Sequence, residues 1–91
     1  MAMKELIAEK QSYVDIIRKG KQNIAQLKKD KALKKAPLWE VAQGTVDAKK
    51  DYIKSMTADL DADILREEAN IEYAYNMIDV VNDKMVYLED E

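Results

Sequence analysis

The sequence predicts an all-α protein, an antiparallel helical hairpin whose second helix is the longer, and three observations lead there. Only Gly20, Gly44 and Pro37 interrupt 91 residues rich in Ala, Lys, Asp, Glu, Ile, Leu and Met, the residues of long helices rather than of sheets. The apolar residues recur at helical spacing on both sides of Pro37. Charge is segregated: ten basic residues against four acids up to Ala36 give +6, and five against fourteen beyond it give −9, matching the net −3. Opposed charge favours two halves lying side by side and steers association with other chains.

Residues 1–91 fit one domain, and a chain of this size buries only about 60 to 65% of its unfolded surface, so additional packing partners are expected to matter. Helix one is expected over about 3–35, on a stripe of Met3, Leu6, Ile7, Tyr13, Val14, Ile17, Ile24 and Leu27 widened by Ile16. Gly20 lies on that stripe, where it permits a bend or a close helix approach. Pro37 disfavours helical geometry at Ala36, which puts the reversal at about 36–45. Within it, Pro37 to Gly44 reads either as one isolated turn followed by Thr45 as a cap, or as the start of helix two.

The long helix is expected over about 45–89. Two interleaved series spaced by seven define its seam: Thr57, Ile64, Ile71, Ile78 and Met85, and Ile53, Leu60, Glu67, Ala74, Val81 and Leu88. Only Thr57 and Glu67 interrupt its apolar character. Such a helix spans about 65 Å at 1.5 Å per residue. A reversal near Pro37 lets helix one cover it only to about Ile71. The interface expected to meet a second copy or a partner is therefore Ile71, Ala74, Tyr75, Ile78, Val81, Met85 and Leu88, because apolar side chains gain roughly 1.5 to 3 kcal/mol each on burial. The alternative is a three-helix bundle, with a break inside 55–63, where Ser55, Thr57, Asp59 and Asp61 are good capping residues.

The residues that carry chemistry are scarce. Neither histidine nor cysteine is present, which removes the commonest general base, the commonest transition-metal ligand, thiolate sites and disulfides, and Ser12 and Ser55 lack an activating context. Two isolated glycines form no phosphate-cradling loop. No enzyme activity, metal, cofactor or small-molecule substrate is expected. Asp59, Asp61 and Asp63 resemble a calcium loop only in part. Ile64 occupies the turn position that wants glycine and Asn70 the position that wants bidentate glutamate, so the acids read as a helix start or solvated face.

Lys28, Lys29, Lys31, Lys34 and Lys35 form a basic face with only Asp30 against it. It is expected to steer an acidic protein partner; nucleic acid is the alternative, although the face lacks arginine and interleaved aromatics. Trp39, next to the reversal, reads as a plug for the hairpin's end or as an interface anchor. Tyr73 and Tyr75 lie about 200° apart on a helix and cannot share a face. No signal-peptide pattern or apolar run of about 20 residues is found, so the expected location is cytoplasmic, without membrane contact.

The expected function is a non-catalytic protein-protein interaction module, self-associating through the late seam and acting as an adaptor, assembly factor or small inhibitor of the sort phage and mobile elements encode. A second alternative comes from a resemblance. A helical hairpin of this length with Trp39 near the reversal, and Tyr75 followed four residues later by Asp79, is similar to the small secreted proteins of the WXG100 type. That likeness implies a secreted hairpin. The chain departs from the pattern at Glu40 and Val41, since the family has glycine two residues after the tryptophan, and no residue roles carry over.

Overall fold

A computed structural model describes residues 2–89. It contains, among those residues, three helices and no strand: α1 (Met3–Val41), α2 (Val46–Met56) and α3 (Ala58–Glu89). The molecule is a rod of 68 × 17 × 13 Å, the width of two helices rather than three. The fold is the expected antiparallel hairpin: α1 forms one arm, and α2 and α3 together form the other.

Three boundaries differ from expectation. Helix one does not finish near Lys35; it runs through Ala36 and Pro37 to Val41. Proline inside a helix forfeits one hydrogen bond and crowds the preceding turn, a cost that packing can offset. Here the turn after it is useful: the Ala42 N–H donates to the Leu38 carbonyl at 2.9 Å, and Ala42 is buried. The reversal is therefore Ala42 to Thr45 rather than 36–45. Gly44 takes φ +98°, a left-handed conformation at no Cβ cost, and the Thr45 hydroxyl accepts from the Ala48 N–H at 3.2 Å to cap α2.

The third difference is that the second arm is not one helix from 45 to 89. It bends at Thr57, inside the stretch 55–63 where capping residues crowd. Thr57 is fully buried, its N–H and its hydroxyl both donate to the Ile53 carbonyl, and the Thr57 carbonyl accepts from the Asp61 N–H. Thr57 is thus the C-cap of α2, and a threonine hydroxyl returning to a carbonyl one turn back bends the chain at such a position. So α2 keeps the antiparallel course but diverges from α1, and no third layer forms.

The two long helices close tightly elsewhere. Leu6 and Ile17 of α1 and Ala74 and Val81 of α3 are buried. Gly20 serves close approach: a Cβ there would stand 2.7 Å from Ile71 Cγ1. Both polar intruders in the seam are answered. Thr57 bonds backbone, and the Asn23 amide donates to the Glu67 carboxylate at 3.4 Å.

Candidate protein-interaction surface

The moved reversal changes what α1 covers. Gly20 meets Ile71, and Lys31 pairs with Asp61 at 2.6 Å. The start of α1 thus reaches the end of α3, and Leu6 is 1% exposed there. Of the seven residues expected to await a second chain, Ala74 and Val81 are buried against α1, and Ile71, Ile78, Met85 and Leu88 are half-buried. The expectation of a seam left open beyond Ile71 is overturned, because the first arm is longer and turns later than the proline implied. Only Tyr75 among the seven is exposed.

What stays uncovered is a different set. Tyr73, Val80 and Tyr87 recur every seven residues on α3 and are 57%, 42% and 70% exposed. Residues at that interval share one face, off the seam. The Tyr13 ring meets Tyr73 edge-on, with centroids 6.3 Å apart and planes at 79°. The stripe therefore lies on the side of the hairpin that carries Tyr13 and, one turn further along α1, the exposed Ile16. Partial burial, and then the nearby Tyr73 and Glu9, hold the Tyr13 phenol above its ordinary value of 10.0. Tyr75 is on the other side, where the Lys21 ammonium stands 5.8 Å from its ring centroid. Tyr73 and Tyr75 thus flank α1 from opposite sides, as their angular separation requires. The stripe's own signal, a seven-residue recurrence of large apolar residues outside the seam, is legible in the sequence and was outweighed by the stronger seam series.

The basic face is divided. Lys31 and Lys35 share a stripe of α1 with Trp39, and Lys28 lies one turn before them, whereas Lys29 and Lys34 point about 110° to either side. Where α2 diverges from α1, Lys31 and Lys35 face Lys50 and Lys54 across an open cleft of about 580 Å³ with Ala32, Ala36, Trp39 and Ile53 as its apolar lining. Trp39 forms a wall of this cleft rather than a plug, and the ammonium of Lys49, on α2, lies 5.0 Å from its ring centroid. The α2 lysines lie far from the Lys28–Lys35 cluster along the chain, so no local charge signal joins them to it.

The acids once suggestive of a calcium loop open α3 instead. Asp59 and Asp61 sit in its first turn, Asp61 holds Lys31, and Asp63 pairs with Arg66 at 3.1 Å. Among the described residues no cluster of acids could hold a metal ion, and no helix is long and apolar enough to cross a membrane. Compared with models of protein families, with curated proteins and with solved structures, the chain matches none.

Proposed function

We propose that this chain is a non-catalytic helical assembly module that pairs with a second copy of itself through the side bearing Tyr13, Ile16, Tyr73, Val80 and Tyr87, and in that form acts as an adaptor, assembly factor or small inhibitor of another protein. The observation that carries the reading is the exposed apolar stripe on α3. Apolar area removed from water there stabilises association by roughly 25 cal/mol per Å². The surface balance supports it as well: the single chain exposes 6779 Å², about a quarter more than the roughly 5,400 Å² expected of a folded monomer of 10.5 kDa.

Charge favours a second copy over an arbitrary partner. Helix α3 carries nine acids and two basic residues, whereas α1 carries ten basic residues and five acids. When two hairpins meet face to face about a two-fold axis parallel to their helices, each acidic α3 lies beside the partner's basic α1 and the bundle alternates in sign, so charge selects that arrangement over the one in which like helices meet. Four helices in that arrangement bury a stripe on each helix that a two-helix hairpin leaves wet. Sedimentation equilibrium on the full chain tests the reading. A mass of twice 10.5 kDa at micromolar concentration is expected, and a monomer at every accessible concentration overturns it.

A further inference from the structure

We infer that the cleft between α1 and α2 is a second, separate binding site, which receives a short acidic and apolar segment of another protein, with carboxylates on each side of a leucine-type stripe. The cleft's two walls dictate that chemistry. Lys31 and Lys35 stand one turn apart on α1, and Lys50 and Lys54 stand one turn apart on α2. Between these rows lie Ala32, Ala36, Trp39 and Ile53. With Lys31 held by Asp61, Lys35 on one wall and Lys50 and Lys54 on the other call for a ligand anionic on both edges and apolar in the middle, the layout of an amphipathic helix laid in a groove. The volume, about 580 Å³, suits a few apolar side chains.

The positive charge there is poorly compensated. The ion pairs among the described residues are Arg18–Asp15, Lys31–Asp61 and Arg66–Asp63, so Lys35, Lys50 and Lys54 surround an apolar lining with no acid paired to them. Residues 28 to 57 carry eight lysines against four acids. A free phosphate would use the lysines and leave the lining wet. A nucleic acid would find no arginine at the cleft for base contacts and a single aromatic ring, Trp39, for stacking. A short acidic peptide meets neither obstacle.

Trp39 is the chain's single tryptophan and a wall of the cleft, so its emission reports occupancy directly. The probe is a synthetic amphipathic peptide with a leucine stripe flanked by glutamates one turn apart, titrated into the full chain. A saturable change in Trp39 emission is expected, weakening as salt rises. Affinity is expected to fall at least tenfold when glutamine replaces the peptide's glutamates, and likewise in the double variant Lys35→Glu and Lys54→Glu, whose helicity is checked by circular dichroism. Both substitutions are on exposed lysines and leave the seam intact. No emission change, undiminished binding by the double variant, or equal binding of a single-stranded oligonucleotide or of anionic phosphatidylserine vesicles overturns the inference. The readout concerns this end of the rod alone and does not depend on whether two hairpins pair.

Discussion

The stretch where α1 packs on α3 and the stretch where α1 runs beside α2 belong to the same antiparallel pair, yet one is closed and the other is open. In the closed stretch the facing residues are small or aliphatic: Gly20 and Ala74 let the helices approach, and Leu6, Ile17 and Val81 fill the seam. In the open stretch the facing rows are Lys31, Lys35, Lys50 and Lys54, whose charged ends must stay hydrated, and the bend at Thr57 turns α2 away. Side-chain size and charge at the facing positions, rather than helix propensity, decide where a hairpin zips and where it leaves a cleft.

Substitutions that contrast the two regions test this division, and the largest effect is expected in the seam. Leu6→Ala removes a fully buried side chain and is expected to cost about 2 to 5 kcal/mol in chemical denaturation. Ile53→Ala, in the half-buried cleft, is expected to cost clearly less. Equal losses would erase the distinction. Next comes Gly20→Ala, in which a helix-propensity gain of about 1 kcal/mol opposes an overpacking cost of about 1 to 3 kcal/mol from Ile71. The expected sum is a lower midpoint, and a raised one would show that Ile71 yields freely.

A smaller effect is expected at the border of the regions. Asp61→Asn breaks the pair with Lys31, whose partners are 38% and 29% exposed, and is expected to cost at most about 1 kcal/mol, shrinking at high salt. The smallest effect concerns alkaline pH. Tyr13 has a folded-state value above 10.0, so the stability its neutral form contributes is complete below that value and is lost as pH rises through the raised one. Tyr13→Phe is therefore expected to flatten the fall in stability above about pH 10, measured by unfolding at stepped pH.

The seam was legible because a seven-residue apolar series survives whatever partner covers it: Ala74 and Val81 are buried as their positions demand. The register was not, and the cause is Pro37. Its local preference argues for a turn, while the helix continues past it to a last turn closed by the Ala42 to Leu38 hydrogen bond and ending on a buried alanine, a burial that local preference does not contain. In an antiparallel hairpin, moving the turn by a few residues moves the register by twice as many. That is why Ile71 meets Gly20 instead of the start of α1, and why the late seam is satisfied within the chain. The capping-rich stretch around Thr57 was visible as a candidate break, but whether it ends a helix or merely bends it depends on the buried hydroxyl bond to Ile53. The cleft was half visible, in Lys31, Lys35 and Trp39. Its other wall lies across the reversal, where charge density along the chain says nothing about proximity in space.

Pairing between copies is the claim on which the proposed function rests, and the side of the hairpin it uses is what separates it from general stickiness. Val80 and Tyr75 are comparably exposed but belong to opposite sides. Sedimentation equilibrium on Val80→Glu and Tyr75→Glu, with helicity checked in each, tests it most directly. Val80→Glu is expected to fall to the 10.5 kDa monomer while Tyr75→Glu keeps twice that mass. Two dimers, two monomers or the reverse pattern would contradict it.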